Sequence, residues 1–471
     1  MKRTFFILLA AIFFFVPASS YSGGDTLPRP DDIRYPSLMY NPPRTERTVL
    51  DNKIILHTLE NREIPLVHVT VVIRAGSVYE PDGREGLAEM TAVGLRTGGT
   101  SFMTGDSIDE ILDHTASQIS FSTNSESCTV DISAHKNEIN EVIRIFSWMI
   151  RYPAFEEKKI ASARNVKIES LRRIQDEPQK IAFREFKRLI YRDNPRGKVP
   201  TIESIAKITT GDLREFHRLH YFPENMIIAV TGDISGKEAR ELIIRHFGDW
   251  RASGEKRAVP DPRREGDGSI YYIRKEAPQS IILIGYIVPG KTNHDYYTLT
   301  VLDFILGSGG FASRITREIR NERGLSYSAG SNYSARGSYG VIDIYSLTKS
   351  SSTPEVISAM KEIIEDIGRK GVTSGELSWA KKSIDNSFIF SLDSAEKIAM
   401  QQLMMEFYGL SDDFLSTYRG NIERVSAEAV RKAAESYLSA GSAVILIVGN
   451  ETDFGKPLSI FGKVRKVKEK I

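Results

Sequence analysis

The chain holds a single cysteine, Cys128, among its 471 residues. An intrachain disulfide is therefore excluded, and so is a metal site built from several thiolates. Cys128 stands in the alternating run Cys-Thr-Val-Asp-Ile-Ser-Ala and is expected as a small buried strand residue. An excess of one charge is lacking too: 63 Lys and Arg against 61 Asp and Glu leave a net +2. No strong single-sign field exists to attract nucleic acid. The one dense basic run is Lys463, Arg465, Lys466, Lys468 and Lys470, expected as a solvated tail. Long apolar runs are absent beyond the first 20 residues, so no later segment is expected to cross a membrane.

Those 20 residues differ from the rest. Lys2 and Arg3 open the chain, Phe5 to Val16 is unbroken apolar sequence, and Pro17-Ala18-Ser19-Ser20 follows. Small residues precede a cut after Ser20, which predicts a secretory signal peptide and export, with the periplasm as the expected compartment. An uncleaved anchor is the alternative, although the apolar stretch is short for a span.

A Pro-rich lead-in covers Leu27 to Pro43. Strands are predicted at Lys53–Leu59 and Val67–Arg74, and helices at Gly86–Arg96, Ser107–Gln118, Glu138–Tyr152 and Phe155–Gln175. Met226–Gly232 predicts a buried strand. Arg251 to Ser269 is charged, rich in Pro and Gly and nearly free of apolar residues, the composition of a linker. Beyond it the pattern restarts, with strands expected at Ile270–Arg274 and Ser280–Val288 and a helix at Asp295–Leu306. Tyr221 and Tyr437 open similar stretches 216 positions apart, and Gly232 and Gly449 close them 217 apart. The agreement points to an internal duplication. The expected fold class is α+β: two similar sandwich halves, each an antiparallel-rich sheet with helices on one face, closing like a clamp. The expected boundaries are 1–20 signal, 21–44 lead-in, 45–250 first half, 251–269 linker, 270–457 second half and 458–471 basic tail.

Residues Ala75 to Thr100 read A-G-S-V-Y-E-P-D-G-R-E-G-L-A-E-M-T-A-V-G-L-R-T-G-G-T. This stretch resembles the signature of the insulinase/pitrilysin family, to which the mitochondrial processing peptidase subunits are related. Active members carry the inverted zinc motif H-x-x-E-H there. Its two His bind the metal and its Glu activates a metal-bound water. The equivalent positions here are Glu89, Ala92 and Val93, and the position of a third ligand on a later helix is Ser170. Glu169 is adjacent, but a helical neighbour points about 100° away. The resemblance thus implies a first half whose zinc-ligand and general-base positions are all replaced, with no metal and no activity of its own. Glu89 is expected to be solvated or paired with an Arg. His217 and His220 offer no substitute and are expected as surface or packing residues.

Leu306 to Tyr327 reads L-G-S-G-G-F-A-S-R-I-T-R-E-I-R-N-E-R-G-L-S-Y and resembles the family's second-half signature. There an Arg and a Tyr reach across to the zinc site of a facing domain; here they fall on Arg320 and Tyr327. A guanidinium and a phenol suit a developing oxyanion, but neither generates a nucleophile. A helix over Ser313–Arg323, broken by Gly324, is expected to present them together. Gly307–Gly310 lacks a following Lys-Ser/Thr and is expected as a tight turn rather than a phosphate loop. The resemblance also places a substrate-accepting sheet edge at Ile119–Asn124 and Thr129–Ala134. Together these features imply a subunit that binds unfolded peptides and supplies Arg320 and Tyr327 to a partner chain of the same family, the zinc being the partner's. The alternative is a non-catalytic scaffold or peptide-binding protein on the same fold.

Overall fold

A computed structural model describes residues 43–254, 257–264, 266 and 268–470. The expected signal peptide and most of the expected lead-in lie outside the described residues.

The first half runs β1 (Glu46–Val49), β2 (Ile55–Glu60), β3 (Leu66–Ile73), α1 (Leu87–Thr97), α2 (Gly105–His114), β4 (Gln118–Thr123), β5 (Cys128–His135), α3 (Ile139–Arg151), α4 (Glu157–Ile174), α5 (Pro178–Tyr191), α6 (Ile202–Ala206), α7 (Thr210–His220), β6 (Met226–Gly232) and α8 (Gly236–Phe247). The second runs β7 (Ile270–Arg274), β8 (Gln279–Pro289), α9 (Tyr296–Asp303), β9 (Ser326–Ala335), β10 (Tyr339–Lys349), α10 (Thr353–Lys370), α11 (Ser374–Phe388), α12 (Ala395–Tyr408), α13 (Phe414–Arg424), α14 (Ala427–Tyr437), β11 (Val444–Gly449) and β12 (Val464–Lys466). Thr209, Ser235 and Thr373 cap α7, α8 and α11 through reciprocal hydrogen bonds that satisfy otherwise open backbone donors.

The duplication is explicit in the sheets. One has the order β1-β2-β6-β3-β5-β4 and the other β12-β7-β11-β8-β10-β9. Each step matches except the first, where β1 meets β2 antiparallel but β12 meets β7 parallel. The five basic side chains of the tail are exposed, as expected, but the backbone that carries them is not a free end. Val464–Lys466 completes the second sheet, and the Lys470 N–H donates to the fully buried Glu185 at 3.0 Å. Lys275 adds an ion pair to Glu469 at 2.8 Å. Backbone donors on an open sheet edge favour such pairing whatever the side-chain charge.

Each sheet buries one face under its own helices, as expected. The other face is covered by a helix from the opposite half. Ile181, Ala182, Phe186 and Ile190 of α5 pack on Ile281, Leu283, Leu446 and Val448 of the second sheet. Ala399, Leu403 and Phe407 of α12 pack on Val72, Ile227 and Ala229 of the first. Phe186 and Leu403 are 217 positions apart, the offset of the duplication itself. Gly285 permits the α5 crossing, because a Cβ there would lie 2.3 Å from the Phe186 ring. The halves are thus interlocked, and the described residues form one compact unit. Among them no helix is long and apolar enough to cross a membrane.

Candidate functional site

The helix predicted at Gly86–Arg96 is present as α1, and α4 packs beside it. Glu89 does not pair with an Arg. Lys167, reaching over from α4, donates to both of its carboxylate oxygens at 2.7 Å. Ala92 is buried one turn on, and Val93, four residues from Glu89 on the same helix, is half-buried. Ser170 is exposed on α4, and Glu169 turns instead to Arg172 in its own helix. The residues at these positions do not fit a zinc ion: one carboxylate is present, and its charge is met by an ammonium.

His217 and His220 are packing residues. His217 meets the Ile150 carbonyl through Nε2 at 2.7 Å and stacks on Tyr221. His220 lies between Tyr79 and Phe216, and burial pushes its imidazole down to about 4. Cys128 is fully buried in β5 as expected, and burial pushes its thiol up to about 12.

Of the two strands expected at an open edge, only β4 is outermost. β5, which carries Thr129–Ala134, lies between β3 and β4. Arg96 occupies part of that edge, donating from Nε to the Ile119 carbonyl at 2.8 Å.

The second-half signature is more contorted than a plain helix. α9 ends at Asp303 and widens into a π-type turn over Phe304–Ser308. The helix expected over Ser313–Arg323 is realised as a π-type segment, Thr316–Glu322, in which the Arg323 N–H returns to the Glu318 carbonyl at 3.1 Å. Such wide turns shift the side chains that follow relative to an α-helix. Gly307 is required by close approach, because a Cβ would meet the Ser331 nitrogen at 2.2 Å. Arg314 anchors the segment to α11 through two hydrogen bonds to Glu376, at 2.7 and 2.8 Å. Burial raises the Glu376 carboxyl, but Arg314 and the hydrogen bonds from Thr373 together outweigh it and hold the group at about 2.

This frame brings Arg320 and Tyr327 together. The Arg320 Cζ lies 4.1 Å from the Tyr327 ring centroid. Tyr327 is the extra residue of a β-bulge: Ser326 pairs with Thr348 and Ser328 with Leu347, leaving Tyr327 unmatched. A bulge re-aims a side chain, and Tyr327 is 83% exposed. Arg320 has no carboxylate within ion-pair distance among the described residues, and no hydrogen bond consumes its fork. Its other close neighbour was not foreseen. Phe311 covers the guanidinium at 4.7 Å, so Arg320 stacks with two aromatic rings. Phe311 follows Gly309-Gly310 and is itself exposed. A large apolar residue at the tip of a glycine turn was the available signal.

Comparisons with known proteins identify the family and the fold. The family model described as Insulinase (Peptidase family M16) matches residues 57–200, and that described as Peptidase M16 inactive domain matches residues 207–384. The chain belongs to the insulinase family, peptidase M16. It is 28% identical over 295 residues to an uncharacterized zinc protease of Mycobacterium leprae, covering 60% of this chain and 65% of that protein, just under two thirds of its length. A similarly named protein of Bacillus subtilis is 23% identical over 402 residues, covering 84% of this chain and 97% of the relative. The crystal structure of a peptidase M16 inactive domain from Pseudomonas fluorescens superposes with a TM-score of 0.81 at 22% identity, covering 88% of this chain and 100% of that one. A protease structure from Helicobacter pylori gives 0.77 at 20% identity, covering 86% and 99%. These structures share the fold.

Proposed function

We propose that this chain is the non-metal-binding subunit of an exported zinc metallopeptidase. It binds peptide and contributes Arg320 and Tyr327 to a partner chain of the same family that carries the zinc motif. The observation that carries this reading is the asymmetry between the two candidate sites. The Glu89, Ala92, Val93 and Ser170 positions hold a carboxylate paired with Lys167, two apolar side chains and an exposed hydroxyl, whereas Arg320 and Tyr327 stand together, accessible and unspent.

The chemistry follows from what each group can do. Arg320 keeps its fixed charge and free N–H donors, and Tyr327 keeps an exposed phenol O–H. Both suit the negative charge that builds on a peptide carbonyl oxygen during hydrolysis. Neither removes a proton from water at neutral pH, so the nucleophile must come from the partner. The export signal at residues 1–20 supports a periplasmic setting.

The test is to purify the chain from its native source with whatever binds it, and to assay metal and peptidase activity on the separated chains and the complex. The reading expects no zinc and no hydrolysis with this chain alone, and both with a partner bearing H-x-x-E-H. A chain that always purifies without such a partner favours a scaffold role on the same fold.

A further inference from the structure

A polar cavity of about 410 Å³ opens at the end of β9 opposite Tyr327. Lys291, Tyr296, Asp303, Phe304, Tyr333 and Arg336 line it. Backbone pairing brings the two cationic residues to one cavity wall, since the Lys291 N–H donates to the Arg336 carbonyl at 2.8 Å and the Thr292 N–H to the Gly337 carbonyl at 2.9 Å.

Neither cation has a carboxylate partner among the described residues. The Lys291 ammonium has only the face of Tyr408, 5.7 Å away. Arg336 makes one long hydrogen bond from Nη1 to the Tyr408 hydroxyl at 3.4 Å, leaving the rest of its fork open. The nearby carboxylates are committed elsewhere. Asp303 accepts from the Ser331 hydroxyl at 2.6 Å and the Tyr333 N–H at 3.0 Å, closing the edge of β9. Glu126, which acts on Arg336 from a distance, accepts from Arg196 Nη2 at 3.0 Å and the Tyr339 hydroxyl at 3.2 Å. Two half-buried cations that line one cavity repel each other. The Lys291 ammonium responds, its pKa lowered by burial and by Arg336. A bound carboxylate relieves both effects, and an open guanidinium fork matches its geometry.

We infer that this cavity binds the C-terminal carboxylate of a peptide, with Lys291 and Arg336 on the carboxylate and the last side chain against Phe304, Tyr296 and Tyr333. The aromatic wall is what favours a peptide terminus over a bare inorganic anion. Arg336 stands nine positions beyond Tyr327, about 30 Å along an extended strand. A peptide crossing Tyr327 reaches the cavity with roughly nine further extended residues. The inference rests on the peptide-binding part of the proposed function, but not on catalysis.

The experiment is fluorescence anisotropy of one N-terminally labelled peptide, made with a free C-terminal acid or a C-terminal amide. It is titrated with the isolated full chain and with Arg336→Gln and Lys291→Gln variants whose melting temperatures match the wild type. The acid is expected to bind at least tenfold more tightly than the amide, and either substitution to remove that difference. Equal binding of acid and amide by the wild type overturns the inference while leaving peptide binding intact. Absence of binding for either form overturns it together with the peptide-binding reading. Inorganic phosphate binding that Arg336→Gln abolishes, alongside equal acid and amide affinities, overturns it in favour of a phosphate site.

Discussion

The Nζ of Lys167 sits 2.7 Å from both carboxylate oxygens of Glu89, joining α4 to α1 where active relatives are expected to bridge the same helices with a metal. A monovalent cation here performs the bridging. Writing the motif back as Glu89→His, Ala92→Glu, Val93→His and Ser170→Glu therefore leaves an ammonium beside the new ligands, which opposes a divalent ion. Zinc titration followed by calorimetry is expected to show affinity weaker by about tenfold or more, ~1.4 kcal/mol, than in the same variant with Lys167→Gln. Equal affinity would contradict the account of Lys167.

Phe311 and Tyr327 flank Arg320 at 4.7 and 4.1 Å. An exposed cation–π contact is worth ~0.5–1 kcal/mol. Phe311→Ala is expected to lower kcat of an assembled active complex roughly two- to fivefold, with assembly and KM little changed. Phe311→Tyr, which keeps the ring, restores it. Failure of the tyrosine to restore activity would remove the positioning role.

The crossing helices make the halves one folding unit. Leu403 is fully buried between α12 and the first sheet. Leu403→Ala is expected to destabilise by ~2–5 kcal/mol in a single denaturant transition seen alike by probes in both halves. Two separated transitions in the wild type would show that the halves fold independently.

Glu80 is buried beneath α1, accepting from the Ala88 N–H at 2.8 Å and the Gly86 N–H at 3.0 Å. Burial nonetheless pushes its carboxyl up to about 7. A carboxyl raised on folding favours the folded state below its unfolded value, and that advantage is lost as pH rises through 7. The imidazoles of His57, His217 and His220 are lowered by burial and act in reverse, costing stability as pH falls below about 6.5. Stability measured by urea denaturation is expected to fall by roughly 1 kcal/mol between pH 6.5 and 8.5, the last part of a loss that begins at the unfolded carboxyl value near 4.5, with Glu80→Gln flattening the slope. A slope unchanged in that variant would assign the effect elsewhere.

Local chemistry was legible in the sequence where a single period or boundary decided it. Met226–Gly232 and Ile270–Arg274 are strands with the expected bounds, and the repeated glycines marked the duplication. What the sequence concealed depends on partners far along the chain. The apolar stripe of α5 announces burial but not that the buried face lies on the other half's sheet. Val464 stands in a basic run, and its strand exists because β7 leaves an edge to pair with. Lys167 follows no motif; its meaning comes from facing Glu89 across two helices. Arg320 and Tyr327 were visible as a spaced pair, but the π-type turns and the bulge that expose them belong to the packing around Gly307 and Ser331.

The most direct test is hydrolysis of a quenched fluorogenic peptide by this chain assembled with its zinc-bearing partner, comparing wild type with Tyr327→Phe and Arg320→Ala. The account predicts that either substitution lowers kcat by about 100-fold or more, the cost of losing one oxyanion donor, while assembly and zinc content stay intact. Unchanged kcat in both variants would contradict it and leave this chain a scaffold.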